Sequence, residues 1–169
     1  LLESIRPVHF DQIIVALTSA SSHSMKTAAM LKAFGAESFP LEWPGHFGHA
    51  RQAALDASTT DWVMWLDADD ELLGAEQLRP AWAARPPTVT ALWLAYQYHA
   101  NEQGDVDLLL WRERMIKRGS CRWEGAVHET LEPLVEPVYH VIDSVVVKHH
   151  PHDDAERFAR NLAIAEASY

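Results

Sequence analysis

The sequence predicts a single α/β domain in which helices flank a parallel sheet, and three observations support this prediction. Apolar, strand-like runs alternate with helix-like segments through the first half of the 169 residues, which is the pattern of α/β folds. One of these runs, residues 62–66, is apolar throughout, as the buried strands of a parallel sheet are. Hydrophobic residues make up 48% of the chain and charged residues 22%, a balance that suits one globular domain of this length.

The elements of the first half follow from apolar spacing and from the residues that end helices. Gly35 and the Pro86-Pro87 pair stand where helices should stop, because glycine favours the helix C-terminus and proline cannot continue a helix. Residues 18–24 are small and polar and are expected to form a loop. In chain order we predict a helix end at 1–6, a strand at 13–17, a helix at 25–34, a strand at 37–42, a helix at 48–57, a strand at 62–66 and a helix at 73–84.

The second half changes character towards strands. Residues 90–99, 108–112 and 138–149 are strand-like, the last with an interruption near Asp143. Residues 153–168 have helical spacing. The sequence contains no internal repeat and no low-complexity tract. We therefore expect a strand-rich second half that closes with one helix.

The net charge of -10 limits the classes of partner. An acidic chain repels polyphosphate on average, which argues against a DNA- or RNA-binding module and suits a cleft that holds a divalent cation. A single cysteine, Cys121, forms no intrachain disulfide and fits a reducing compartment, so the expected location is the cytoplasm. No apolar run is long enough to cross a membrane. Because the first residue is Leu1 and not Met, we expect the chain to be part of a longer protein.

An acidic cluster directly follows the apolar strand. In open α/β sheets, ligands bind beyond the carboxyl ends of the strands, and on an extended backbone Asp67 and Asp69 project to the same side. Two such carboxylates are ligands for a hard cation, Mg²⁺ or Mn²⁺, which would offset the charge of a diphosphate leaving group. Alternatively, Asp70 and Glu71 only favour the positive end of the next helix, and the pair by itself also fits a phosphohydrolase.

Three separated motifs resemble one family. Residues 47–73, FGHARQAALDASTTDWVMWLDADDELL, closely resemble the central segment of the family-two inverting glycosyltransferases, with its L-D-A-D motif. Residues 11–24 with Phe34-Gly35-Ala36 are similar to that family's second strand, loop and helix. Residues 123–129, WEGAVHE, resemble the W-x-G-x-V-H-E motif of a bacterial branch, and a His-His pair before a terminal helix is also typical there.

The resemblance implies the GT-A fold, a Rossmann-like mixed sheet with flanking helices. The family's first strand has no counterpart here, so the N-terminal strand is expected to be missing. The whole chain, 1–169, would be one catalytic domain. In it, residues 1–89 would form the nucleotide-sugar and metal half, 90–152 the acceptor half and 153–169 the C-terminal helix.

The resemblance also assigns roles on the donor side. Asp67 would lie near the ribose, and Asp69 would coordinate Mn²⁺ or Mg²⁺ together with Asp67. A histidine from the end of the last strand would complete the metal shell, and we favour His149 over its neighbour His150. Arg51 would lie near the nucleotide base or the diphosphate, although by itself it is typical of a solvated helix position.

The second half of the chain supplies the candidate base and three further candidates for binding the nucleotide sugar. Glu129 is the candidate general base, which an inverting transfer needs in order to take the proton of the acceptor hydroxyl; the alternative is a glutamate that starts a turn. Trp123 is expected either to stack on a sugar ring or to lie in the core. Lys117 and Arg118 would bind the diphosphate or form part of a solvated strand edge.

Two departures from the family pattern leave other functions open. Residues 17–20, LTSA, lack the family's aspartate, and Gln52 replaces its asparagine, as in a degenerate nucleotide- or sugar-binding module. A zinc-dependent hydrolase would use His149, His150 and His152, but Ala155 stands where a further histidine should follow.

The expected partners of the glycosyltransferase are a nucleotide-diphosphate sugar, with UDP as the expected nucleotide, and an acceptor that is a glycan, a lipid-linked sugar, a protein or a modified nucleobase.

Overall fold

The computed structural model describes residues 1–18, 22–43, 45–100, 106–150 and 155–167. The chain divides into two compact units, each built from separate stretches of sequence. Unit one comprises residues 1–10, 62–120 and 135–153, and unit two comprises residues 11–61, 121–134 and 154–169.

The helices are α1 (Leu2–Ile5), α2 (Ser22–Phe34), α3 (Phe47–Asp56), α4 (Ala75–Ala84) and α5 (Ala155–Ala167), with a 3-10 turn at Arg6–Val8. The strands are β1 (Ile14–Leu17), β2 (Glu37–Pro40), β3 (Trp62–Met64), β4 (Asp70–Leu73), β5 (Ala91–Ala100), β6 (Val106–Lys117), β7 (Cys121–Glu124), β8 (Thr130–Pro133) and β9 (Tyr139–His149).

Unit one is built on a five-stranded mixed sheet in the order β3-β6-β5-β9-β4. Neighbouring strands are antiparallel except β5 and β9, which are parallel. Inward-facing residues of the central strands are fully buried, among them Leu92, Leu94, Val145 and Val147. Helix α4 covers β9 and contributes the buried Leu78. The core of this unit therefore lies between the centre of the sheet and α4.

The predicted interruption of the last strand near Asp143 is confirmed as an irregularity in β9. Leu94 pairs with Ile142, but the next residue, Ala95, pairs with Val146. The intervening residues are looped out of the ladder, which bends the strand locally. After this bulge, β9 continues to His149 in regular pairing with β4.

Unit two contains one parallel pair and one hairpin. Strands β1 and β2 are parallel, while β7 and β8 are antiparallel. Helix α3 contacts both β1 and β7. The mixed sheet with flanking helices is confirmed, but the parallel sheet expected for the first half is restricted to β1 and β2, because β3 pairs antiparallel with β6.

The segment Asp70–Leu73 is a strand that was not predicted, and it includes Leu73, the first residue of the helix predicted at 73–84. Asp70 and Leu72 are buried and Leu73 is exposed, an alternation with the period of two that strands show. Gly74 then adopts φ 72° as the N-cap of α4, a left-handed conformation that glycine takes readily. The helix therefore begins two residues later than predicted.

The hairpin β7–β8 was not predicted, whereas the helix predicted at 153–168 is confirmed as α5 within the described residues. In the described part of the chain, no helix combines the length and the apolar character that a membrane crossing requires.

Candidate functional site

A tight turn after β3 shapes the acidic cluster of unit one. The strand ends at Met64, and the N–H of Asp70 donates to the carbonyl oxygen of Asp67 over 3.0 Å. The N–H of Asp67 in turn donates to Oδ2 of Asp70, also over 3.0 Å. The expected extended backbone from Asp67 to Asp69 is therefore wrong, because these two hydrogen bonds fold residues 67–70 into a turn.

The turn brings Asp69 and Asp70 to the end of β9. Asp70 is the partner of His149 in the β4–β9 ladder, and the imidazole Nδ1 lies 3.4 Å from Oδ1 of Asp70 and 3.7 Å from Oδ1 of Asp69. One ligand atom from each of the three residues lies within 4.8 Å of the others. Of the two histidines considered, His149 thus lies against the carboxylates, and the second carboxylate beside Asp69 is Asp70.

His149 is held in place and keeps an unused ring nitrogen. Its ring stacks on that of Tyr98, with centroids 5.6 Å apart and planes inclined by 11°. Its Nε2 is buried and has no hydrogen-bond partner among the described residues. A buried imidazole that is satisfied only on its Nδ1 side, next to two carboxylates, is the arrangement of a metal ligand or of a strongly oriented hydrogen-bond donor.

The three side chains fit a divalent cation. Carboxylate oxygens suit Mg²⁺ and Mn²⁺, whereas imidazole nitrogen suits transition metals. Mg²⁺ prefers oxygen ligands and retains much of its water, so a set of two carboxylates and one imidazole favours Mn²⁺. Asp69 and Asp70 also line an open cavity of about 330 Å³, together with Glu3, Glu71 and others. This acidic lining favours a bound cation.

Asp70 is fixed by a buried arginine, Arg114, which was not among the predicted site residues. Nη1 of Arg114 donates to Oδ2 of Asp70 over 3.2 Å, and both side chains are almost completely buried. The guanidinium lies 3.8 Å from the ring centroid of Trp65 and 4.2 Å from that of Tyr96. In the sequence, Arg114 is followed directly by the apolar residues Met115 and Ile116 near the end of β6.

Burial dominates the electrostatics of this pair. It raises the pKa of Asp70, and the nearby Arg114 only partly opposes the shift. It likewise lowers the pKa of Arg114, which Asp70 partly opposes. Burial, with the charge of Asp70, raises the pKa of Tyr96 to about 12. Both shifts favour the neutral form of the side chain, because moving either charge out of water is unfavourable. The ion pair compensates for this cost only in part.

The other predicted donor-side residues of unit one are Asp67, which is hydrogen-bonded to Asp70 of the three-residue cluster, and Lys117 and Arg118. Asp67 is half-buried, and its charge acts on Asp70, Arg114 and Tyr96. Lys117 and Arg118 are exposed at the end of β6, where the N–H of Lys117 donates to the carbonyl of Thr90. The contact of Asp67 with the ribose and the contacts of Lys117 and Arg118 with the diphosphate remain predictions.

A second group of predicted residues meets in unit two. Nε of Arg51, on α3, donates to Oε1 of Glu129 over 2.6 Å, and the side chains are 21% and 13% exposed. The guanidinium lies 5.1 Å from the ring centroid of Trp123, whose backbone N–H donates to Oε1 of Gln52. Trp123 is buried, so its predicted stacking on a sugar remains a prediction.

The alternative zinc cluster receives little support from the described residues. His149 is buried, whereas His150 is exposed and its Nε2 lies 2.8 Å from Oε2 of Glu71. The two imidazoles therefore contact different carboxylates. His152, the third predicted ligand, lies outside the described residues.

Comparison with known proteins identifies a family for the first two thirds of the chain. The sequence profile of the family described as Glycosyl transferase family 2 matches residues 2–119. A TPR repeat-containing protein of Synechococcus elongatus is 36% identical over 63 residues. That match covers 37% of this chain but only 15% of the cyanobacterial protein. Because the family profile matches well over half of its residues, this chain belongs to glycosyl transferase family 2.

Proposed function

We propose that this chain is the core of a metal-dependent, inverting glycosyltransferase of the hexosyltransferase type. It moves a sugar from a nucleotide-diphosphate sugar, with UDP as the expected nucleotide, to an acceptor hydroxyl. The observation that carries the proposal is the cluster of Asp69, Asp70 and His149, which lies in a member of glycosyl transferase family 2. We expect the reaction to take place in the cytoplasm, in keeping with the single cysteine.

The cation is proposed to bind through Asp69, Asp70 and His149. The distances of 3.4 and 3.7 Å from Nδ1 to the two carboxylates support this arrangement. A bound Mn²⁺ or Mg²⁺ supplies charge that offsets a departing diphosphate. Asp67 was predicted as a second ligand, but the geometry favours Asp70 in that position and leaves Asp67 for the ribose.

Glu129 is the proposed general base. In the transfer, the acceptor oxygen forms a bond to the anomeric carbon while its proton passes to the Glu129 carboxylate. The bond from that carbon to the diphosphate oxygen breaks, and the nucleoside diphosphate leaves with the bonding electrons. A base in this role must lie within hydrogen-bond reach of the hydroxyl. The side chain of Glu129 is 13% exposed, so part of it is open to an acceptor.

Lys117 and Arg118 are proposed to help bind the diphosphate, because both are exposed cations at the end of β6. Trp123 is proposed to stack on the sugar of the nucleotide-sugar donor. The acceptor is one of four classes: a glycan, a lipid-linked sugar, a protein or a modified nucleobase. The matched segment of the cyanobacterial relative is too small a part of that protein to choose among them.

The test is release of nucleoside diphosphate from a panel of nucleotide sugars by the full-length protein, with Mn²⁺ and with EDTA. We expect turnover of at least one UDP-sugar with Mn²⁺ only, and loss of that turnover in Asp69→Asn. Asp143→Asn is the matched control, because Asp143 is an exposed aspartate of the same unit. Nucleotide binding without any turnover would instead identify a degenerate binding module. Hydrolysis of another substrate that requires zinc, with no turnover of any nucleotide sugar, would favour the zinc-dependent hydrolase.

A further inference from the structure

The loop that carries Glu129 is attached to the first turn of α3 in unit two. The N–H of Phe47 donates to the carbonyl of Ala126 over 2.9 Å, and the N–H of Gly48 donates to the carbonyl of Gly125 over 3.1 Å. The first N–H groups of a helix have no partner within the helix. The loop between β7 and β8 supplies two of these partners, so the start of α3 and the start of the loop are held together.

Glycine at position 48 makes this close approach possible. A Cβ atom there would lie 2.6 Å from the carbonyl oxygen of Gly125, closer than real Cβ contacts. The loop itself turns on Gly125, with φ 96°, and on His128, with φ 57°. Two left-handed residues within four positions reverse the chain and return Glu129 towards the helix.

One helical turn further along, α3 contacts Glu129 directly. Arg51 donates to its carboxylate over 2.6 Å and lies against the ring of Trp123. The adjacent Gln52 accepts the backbone N–H of Trp123 over 2.8 Å. Both side chains thus connect α3 to the WEGAVHE segment, residues 123–129. Gln52 contacts its first residue, Trp123, whereas Arg51 contacts both Trp123 and the last residue, Glu129.

We propose that Arg51 is a positioning residue for Glu129 and does not bind the nucleotide, contrary to the role that the family resemblance implies. This inference rests on the proposed role of Glu129 as general base. The planar guanidinium, held against Trp123, fixes the direction of the carboxylate more firmly than a flexible ammonium does. A displacement of about 1 Å at a catalytic group is enough to lower a rate by about 10²-fold.

The kinetic test is a double-mutant cycle in the full-length protein. Arg51→Gln lowers kcat about 10- to 100-fold and leaves both the KM for the donor and the Kd for UDP unchanged. Glu129→Gln lowers kcat by about 10² to 10⁴-fold. Because Arg51 acts through Glu129, the double variant is no slower than Glu129→Gln alone. Arg51→Lys restores only part of the rate.

Arg122→Gln is the matched control, since Arg122 pairs with Glu124 over 2.9 Å on the same hairpin but in an exposed position. We expect it to keep the normal kcat. A raised Kd for UDP in Arg51→Gln, or losses that multiply in the double variant, would overturn the positioning role. Normal transfer by Glu129→Gln would instead refute the general base, which is a failure of the proposed function.

Hydrogen exchange tests the positioning role without any activity assay. The amides of residues 125–129 exchange faster in Arg51→Gln than in the native protein, because the carboxylate no longer ties the loop to α3. Glu129→Gln gives a comparable increase, and the double variant adds nothing to it. Unchanged exchange of these amides in Arg51→Gln would contradict the proposal, whatever the activity of the protein.

Discussion

Arg114 and Asp70 form an ion pair, 3.2 Å from Nη1 to Oδ2, in which neither side chain is more than 1% exposed. The arginine enters from β6 and the aspartate from β4, so the pair joins two strands that are not neighbours in the sheet. Asp70 also contacts His149. The position of the candidate metal ligands therefore depends on a pair that lies deep in unit one.

Removal of Arg114 should strongly destabilise the protein. Arg114→Met leaves the carboxylate of Asp70 buried without its charged partner, for which a loss of about 3–5 kcal/mol in the free energy of unfolding is typical. Urea denaturation measures this loss. Arg112→Met is the control from the same strand, because Arg112 is only half-buried. Equal stability of the two variants would show that the Arg114 pair contributes little.

The raised pKa of Asp70 predicts the sign of a pH effect. As the pH rises above 3.8, the ordinary value for an aspartate, the unfolded state loses this proton before the folded state does. The stability of the native protein relative to Asp70→Asn should therefore fall as the pH rises, until Asp70 ionises in the folded state. Urea denaturation of both proteins between about pH 4 and 7 measures the difference. A relative stability that increases with pH would mean that Arg114 outweighs burial.

The two adjacent histidines should differ in their effect on metal binding. Mn²⁺ at about a hundred times its dissociation constant should stabilise the native protein by about 2.7 kcal/mol. His150→Ala should retain this stabilisation, and His149→Ala should lose most of it, each compared with its own metal-free form. Thermal denaturation with Mn²⁺ and with EDTA measures both. The opposite pattern would assign the ligand to His150.

Gly48→Ala separates helix propensity from steric contact. In a helix interior alanine is favoured over glycine by up to about 1 kcal/mol, which by itself would stabilise the variant. The Cβ would meet the backbone oxygen of Gly125 at 2.6 Å, so we predict a net loss of stability in urea denaturation. Hydrogen exchange at residues 125–129 should also increase. A stabilised variant with an unchanged loop would show that α3 and the loop do not approach so closely.

Local apolar patterns predicted the central elements well. Of the strand predicted at 62–66, Trp62–Met64 is a strand, and the polar Asp143 marks the interruption of β9. These features depend on side chains within a few residues of each other. The direction of pairing depends on distant segments, which is why the antiparallel partner of β3 was not predicted.

The candidate site could be predicted only in part, for the same reason. The acidic cluster and the histidine pair were visible in the sequence, and the preference for His149 over His150 rested on the family resemblance. The inward direction of Asp70 was hidden by the adjacent Glu71, since two acidic residues before an apolar run are also typical of a helix start. The contacts of Arg51 and Arg114 join residues that are 78 and 44 positions apart, and no local pattern predicts them.

The most direct test of the proposed function is calorimetric titration of the full-length protein with UDP, in the presence of Mn²⁺ and in the presence of EDTA. We predict clear binding with Mn²⁺ that weakens at least tenfold, or about 1.4 kcal/mol, both with EDTA and in Asp69→Asn with Mn²⁺. The control Asp143→Asn should bind UDP as the native protein does. Equal UDP affinity under all of these conditions would contradict the proposal that this chain binds its donor through a metal ion.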